Sequence, residues 1–206
     1  MISTSLFSFF GRPLPLPTSI RIALCILLLA GAGSLRAQEP GPGSIDLAVT
    51  YSGERSLKAN TQENFWMQGG SIELGAKIWR TWSIVAGVSG AHTGSIGSSG
   101  VPLSLVTTTF GPRYRWYINR RVSLYGQGLA GETNGFRSLF PTPAGVQTGA
   151  NGFAAQVGGG VDFALSDRIA VRVLDAAWSH TQLPNATDNV QNNLRLGAGL
   201  VLRFAR

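Results

Sequence analysis

An alternation of apolar and polar residues between residues 44 and 204 is the feature that most constrains how this chain folds. A period of two places successive side chains on opposite faces of an extended strand. In the last alternating segment, one face carries Leu194, Leu196, Ala198, Leu200, Leu202 and Phe204. The other face carries Asn193, Arg195, Gly197, Gly199, Val201 and Arg203. This segment is therefore predicted to be a strand with one apolar face and one polar, glycine-rich face.

Eight such segments follow one another, and turn-forming residues separate each from the next. They span residues 44–53, 65–79, 82–93, 102–117, 122–133, 151–165, 169–181 and 190–204. No helical period of apolar residues competes with them after residue 44. The predicted class is all-β.

The connections between these segments alternate in length. Three are short, at residues 80–81, 118–121 and 166–168. The other four are longer and span residues 54–64, 94–101, 134–150 and 182–189. Tight periplasmic turns that alternate with extended external loops are typical of a transmembrane barrel. The sequence thus predicts an eight-stranded antiparallel up-and-down transmembrane β-barrel with short periplasmic turns and longer external loops.

The distribution of charge decides which face of the strands lies inside. A soluble β-sandwich or lipocalin-like barrel has the same period but buries its apolar face. Here the ions lie among glycines on one face and bulky apolar residues line the other, which favours an apolar face turned to lipid. An eight-stranded barrel has room inside only for its own side chains. The inward charges are predicted to form a polar network that fills the lumen: Glu73, Lys77, Arg113, Arg115, Asp162, Arg172, Arg195 and Arg203.

Two segments break the alternation. Continuing the register of segment 169–181 places Asp175 in lipid, so we expect a β-bulge near Val173 and Leu174 that returns Asp175 to the lumen. Segment 122–133 loses its register after Gly126. Aromatic residues gather near the short turns, as expected for a membrane-interface girdle: Trp79, Trp82, Tyr114, Trp116, Tyr117, Phe163 and Phe204.

The N-terminal residues have the order of a secretory signal. Arg12 and Arg21 precede an apolar run at residues 22–30, and small residues follow it. The run is shorter than the roughly 20 residues that a spanning helix needs. We expect residues 1–37 to be a removed signal peptide, with cleavage after Ala37 or alternatively after Ala32. Residues 38–43 are then a short linker and residues 44–206 the barrel.

The pattern resembles the outer-membrane β-barrel family, whose best-known members are eight-stranded OmpA-type barrels. The resemblance rests on residues 170–181, which carry an inward Arg172, and on the glycine-rich ending at residues 194–204. It implies location in the cell outer membrane and contact with outer-membrane lipid. It also implies that Phe204 serves as the signal for the barrel-assembly machinery, although Ala205 and Arg206 follow it.

The sequence predicts no catalysis, cofactor or metal. The net charge is +7, but the basic residues occur singly or in pairs, so nucleic acid is not an expected partner. The string G-x-G-x-x-G at residues 126–131 lacks the helix that a dinucleotide site needs. The two histidines, His92 and His180, have no nearby cluster of metal ligands.

We therefore predict a structural or interaction protein that is a monomer. Two alternatives remain open: a narrow channel lined by arginines, and a lipid A-modifying enzyme. The enzyme would need His180 with Ser179 or Thr181 and Asp175, or His92 with Ser95. External loop 134–150 contains Phe136 and Phe140, which are candidate contacts for lipid headgroups or a partner.

Overall fold

In the part of the chain that the structure describes, eight β-strands close into a barrel. The computed structural model describes residues 43–58, 64–143, 145–185 and 189–204. The strands are β1 (Ile45–Lys58), β2 (Trp66–Trp79), β3 (Trp82–Thr93), β4 (Leu103–Tyr117), β5 (Val122–Thr142), β6 (Gly145–Ala164), β7 (Ile169–Thr181) and β8 (Gln191–Phe204). Each strand pairs antiparallel with its neighbour in sequence, and β1 also pairs with β8. Closure leaves no unpaired strand edge, and the predicted barrel topology is confirmed.

The two faces of the sheet differ in the sense that the alternation predicted. On β2, Ile72 and Leu74 expose 57% and 51% of their surface on the outside, whereas Glu73 between them exposes 3%. The same alternation of exposed apolar and buried polar residues runs along β4 and β8. Within the described ranges, no helix is long and apolar enough to span a bilayer.

The end of the barrel with the short turns carries a group of exposed aromatic side chains; we call it the turn end, and the opposite end the loop end. Trp79, Trp82 and Trp116 are exposed there. The Trp82 and Tyr114 ring centroids are 5.0 Å apart, and those of Tyr114 and Trp116 are 4.4 Å apart, both in edge contact. Such rings favour a membrane interface. Tyr117 does not belong to this outer girdle. It lies on the same inward face of β4 as Arg115, and its ring packs against the buried Lys77.

Several strands are longer at the loop end than the sequence indicated. The predicted loop 134–150 is mostly a continuation of the β5–β6 hairpin, with pairing up to Thr142 and Gly145. Strand β1 likewise continues to Lys58 instead of ending at residue 53. A span needs about 9–11 residues, and β5 has 21. The backbone pairing of β5 with β6 thus continues after the apolar alternation has ended.

Two bulges explain where the alternation fails. Strand β7 has the expected irregularity between Arg172 and Asp175, which leaves Val173 and Leu174 exposed and Asp175 fully buried. Strand β5 keeps its register past Gly126, with Leu129 on the inner face, and shifts only between Phe136 and Phe140. The loss of register after Gly126 was therefore wrong, because an apolar residue at an inward position had disguised the alternation.

Candidate functional site

The structure places all eight charged residues of the predicted network inside the barrel. Each exposes 9% of its surface or less. Successive residues of a strand point to opposite faces except at a bulge, so a residue's position along its strand fixes its inward direction. The members are Glu73, Lys77, Arg113, Arg115, Asp162, Arg172, Arg195 and Arg203.

Glu73 is the centre of the first group of ion pairs. Its Oε2 atom accepts hydrogen bonds from Arg113 on β4 and from Arg172 on β7, the latter at 2.8 Å. Its Oε1 atom accepts a bond of 3.2 Å from the Gln127 amide on β5. Gln127 in turn accepts a bond of 2.8 Å from Arg113 Nε. One carboxylate thus ties together strands that lie on different sides of the lumen.

Asp162 is the centre of the second group, which lies nearer to the turn end. Its Oδ1 atom accepts a hydrogen bond of 3.0 Å from Arg172 Nε, and its Oδ2 atom accepts one of 2.7 Å from Arg115. Arg115 also donates to Asp46 on β1 at 3.1 Å. Because Arg172 contacts both Glu73 and Asp162, the two groups form one connected network.

Tyr125 on β5 lies in the middle of this network, although the sequence pattern did not predict it. The guanidinium carbons of Arg113 and Arg172 lie 4.6 Å and 4.4 Å from its ring centroid, a cation–π arrangement. Its hydroxyl donates a hydrogen bond of 2.6 Å to Asp175. Asp175 also accepts a bond of 3.1 Å from Arg195. The alternation of Leu124 outward and Tyr125 inward was the available signal, but the assumed break in β5 concealed it.

Ion pairs link four arginines and four carboxylates in the centre of the lumen. This pairing matters because an unpaired buried ion is costly. The bases are Arg113, Arg115, Arg172 and Arg195, and the acids are Asp46, Glu73, Asp162 and Asp175. We call these eight residues, with Tyr125 and Gln127, the plug. Lys77 and Arg203 lie on the turn-end side of it, where Asp46 pairs in register with Arg203.

The lumen changes character on the loop-end side of the plug. A small polar chamber of about 20 Å³, lined by Glu54, Gln156 and Arg195 among others, comes first. Above it lies an apolar cluster of the buried residues Met67, Leu103, Leu105, Phe140 and Leu183. These side chains line a cavity of about 290 Å³. We call this the mouth cavity.

The two candidate loop contacts lie in different environments. Phe136 is 40% exposed on the outer side of β5, whereas Phe140 is 5% exposed and belongs to the apolar cluster. The cause is a β-bulge at Arg137, which has a positive φ of 59°. The extra residue of the bulge shifts the alternation by one position, so Ser138 and Phe140 point inward. The expectation of an external contact for Phe140 is therefore corrected. Phe204 is exposed at the turn end, where it pairs with Ile45.

The structure does not assemble the hypothetical Ser/His sites. His180 lies on the outer side of β7, and its Nδ1 atom is 3.1 Å from Asn192 Oδ1, whereas Asp175 faces the lumen. His92 Nδ1 is 2.9 Å from Ser104 Oγ on β4, whereas the Ser95 hydroxyl donates to the Gly97 carbonyl at 2.8 Å. In the part of the chain that the structure describes, no group of three His, Cys, Asp or Glu residues is arranged to hold a metal.

The sequence and the fold resemble those of known outer-membrane proteins. The family model for the outer membrane protein beta-barrel domain matches residues 22–204. No curated protein sequence matches the chain.

Solved structures share the fold at low sequence identity. Ail, the attachment invasion locus protein of Yersinia pestis, is 21% identical with a TM-score of 0.52, and the match covers 80% of this chain and 100% of Ail. Neisserial surface protein A is 12% identical with a TM-score of 0.58, over 81% of this chain and 100% of that one. OprG from Pseudomonas aeruginosa is 10% identical with a TM-score of 0.50, over 83% and 100%. The closed eight-stranded barrel and the family match over most of its length show that this chain belongs to the family of outer membrane protein beta-barrel domains.

Proposed function

We propose that this protein is a closed outer-membrane barrel with a structural or interaction role and no catalysis. The observation that carries the proposal is the plug, in which Arg172 joins Glu73 and Asp162 across the lumen. The plug supports a closed lumen because an eight-stranded barrel has little internal space beyond its own side chains. Conduction would require several buried ion pairs to separate, and each separated ion would lose its partner in a poorly hydrated site.

Planar-bilayer recording tests the closed lumen. The protein is first shown to be folded in the same lipid by its faster gel migration before boiling. We expect folded, inserted protein to give no stepwise conductance. Reproducible openings from folded protein would contradict the closed lumen and support the narrow channel. A lipid A mass spectrum that changes on overproduction would instead support the enzyme.

The interaction role would reside in the part of the β5–β6 hairpin that extends beyond the membrane. Leu139 and Val146 expose 58% and 65% of their surface there, next to the exposed Phe136. Apolar side chains exposed together on a surface that no lipid covers mark contact sites for partners or headgroups. They support an adhesive or receptor function for this hairpin, which the barrel would hold in a fixed position.

Substitution of the exposed residues alone separates this role from stability. The double variant Phe136→Ser, Val146→Ser leaves Phe140, the apolar cluster and Leu139 intact, so the residues that line the neighbouring cavity do not change. We expect it to reduce adhesion or phage sensitivity of cells that carry the protein. The control variant Gln147→Ser, Thr148→Ser changes exposed polar residues of the same hairpin and should have no effect. Equal behaviour of the two variants would contradict the proposed contact.

The route to the membrane forms part of the same proposal. Export would use residues 1–37 as a cleaved signal peptide, and insertion would use the barrel-assembly machinery. The inserted protein would be a monomer in contact with outer-membrane lipid. Membrane fractionation and the intact mass of the purified protein test location and cleavage, because cleavage after Ala37 and after Ala32 give different masses.

A further inference from the structure

The mouth cavity is apolar although it opens toward the external side of a polar lumen. Phe65, Met67, Leu103, Leu105, Phe140 and Leu183 contribute to its wall. Most of them point into the lumen. Nearer the turn end, the inward positions of the same strands carry charged and hydroxyl side chains instead. A lumen that is simply filled by polar side chains does not require a change from polar to apolar residues at one end. The apolar wall therefore needs its own explanation.

Most of the polar side chains around the mouth cavity already have partners within the protein. The side-chain amide of Gln191 donates to the Leu183 carbonyl at 2.8 Å and accepts from the Leu183 N–H at 2.9 Å. The Asn193 amide donates to Glu54 at 2.7 Å, and the Ser99 hydroxyl donates to the Ile96 carbonyl at 2.7 Å. These bonds hold the wall in shape and leave few directional demands on a ligand. A sugar or peptide would lose its hydrogen bonds to water without replacing them, whereas an apolar molecule would not.

The size of the mouth cavity limits the ligand further. Its volume is about 290 Å³, whereas an apolar cavity of about 150 Å³ in another protein stays dry and binds benzene. The mouth cavity is thus large enough for a molecule with one or two aromatic rings or for a short alkyl chain. It lies at the lower end of the range of about 300–1,000 Å³ that is usual for ligand pockets.

We infer that the mouth cavity is a binding site for a small apolar molecule that enters from the external side. Met67, Leu103, Leu105 and Phe140 would enclose the ligand. The Glu54–Asn193 bond and the plug lie between the cavity and the turn end. The site therefore retains its ligand at the mouth and does not pass it through the lumen. This inference goes beyond the proposed structural role, and it shares only Leu139 with the exposed hairpin contact.

Met67 provides a direct reporter for the test. It is 1% exposed in the cavity wall, and Met1 is the only other methionine of the sequence. Protein labelled with ¹³C at the methionine methyl group, in lipid nanodiscs, is titrated with naphthalene. The Met67→Leu variant assigns the signal. We expect a saturable shift of the Met67 methyl resonance. A shift that only grows in proportion to added naphthalene would show partition into lipid and would overturn the site.

A pair of matched substitutions locates the binding. Leu103→Trp fills the cavity and should weaken naphthalene binding at least tenfold, whereas Leu57→Trp adds the same ring at an exposed position of β1 and should leave it unchanged. Heat-dependent gel mobility shows that each variant is folded. If Leu103→Trp does not fold, Leu183→Phe offers a smaller addition to the same wall. Saturable binding of unchanged strength in a folded, filled variant would overturn the assignment to this cavity.

Discussion

Arg172 on β7 donates a hydrogen bond of 2.8 Å to Glu73 on β2, although 99 positions separate the two residues in sequence. Arg172 is fully buried and Glu73 is 3% exposed. Neither strand neighbours the other in the barrel, so this contact crosses the lumen instead of following the sheet. Glu73 also pairs with Arg113, so a single carboxylate compensates two buried guanidinium groups.

The first prediction concerns this carboxylate. Glu73→Gln keeps the size of the side chain but removes its charge, which leaves Arg113 and Arg172 with less compensation. Loss of one partner of a buried pair typically costs about 3–5 kcal/mol. We expect a decrease of that order in the free energy of unfolding, measured by urea titration of the folded gel band in lipid vesicles.

Glu132→Gln is the matched control, because Glu132 lies on the exposed face of β5. Its effect should stay within about 0.5 kcal/mol, as is usual for a surface position. Similar unfolding midpoints for the two variants would mean that the plug does not stabilise the barrel.

The faces of the strands were predictable because each has a different solvent. Residues such as Leu74 and Leu200 must be apolar because they face lipid. Every second residue of a strand faces lipid, so apolar residues recur with a period of two. The same logic identified the inward charges, including Glu73 and Arg172. It failed at Leu129, where an inward residue is apolar. It also failed at residues 134–150, where strands continue into water and no longer need a lipid face.

The partners within the plug were not predictable from the sequence. Which inward side chains meet depends on strand tilt and on closure of β1 against β8, and these are properties of the whole barrel. Tyr125 was missed for a local reason, namely the apparent break in β5. The mouth cavity was missed because its wall combines single residues from distant segments, for example Met67, Leu105 and Leu183.

The second prediction concerns the Tyr125 hydroxyl. Tyr125→Phe keeps the ring that faces Arg113 and Arg172 but removes the donor to Asp175. A buried acceptor that loses its donor typically costs about 1–3 kcal/mol, and we expect a loss of unfolding free energy in that range. Tyr51→Phe removes an exposed hydroxyl that donates to Gln68 at 3.0 Å, and should change stability by less than about 0.5 kcal/mol. An equal loss in both variants would argue against a special role for the buried bond.

The third prediction concerns the place of Tyr125 against β6. A Cβ atom on Gly160 would lie 2.1 Å from the Leu174 carbonyl oxygen and 2.8 Å from a ring carbon of Tyr125. Gly160→Ala should therefore force the ring or strand β7 aside, at a cost of about 1–3 kcal/mol for overpacking. Gly128→Ala meets no atom within 4 Å and should not destabilise the barrel. Both are compared by urea midpoint, and a stable Gly160→Ala variant would contradict the close contact.

The fourth prediction separates assembly from stability at Phe204. The side chain is 53% exposed and lies outside the plug, so its removal should affect the finished barrel little. If the assembly machinery recognises this aromatic ring, Phe204→Ala should lower the amount of protein in the outer membrane several-fold. Phe163→Ala removes another ring near the turn end and serves as the control.

Purified protein, refolded into vesicles without any assembly machinery, supplies the second measurement for this pair. We expect Phe204→Ala and Phe163→Ala to have similar unfolding free energies there, because both remove a ring from the outer face near the same interface. A difference seen only in cells would then arise during insertion. Two outcomes would show that Phe204 is one more girdle residue instead of an assembly signal. Either Phe204→Ala and Phe163→Ala are equally abundant in the outer membrane, or Phe204→Ala is much less stable than Phe163→Ala in vesicles, so that instability explains its lower abundance in cells.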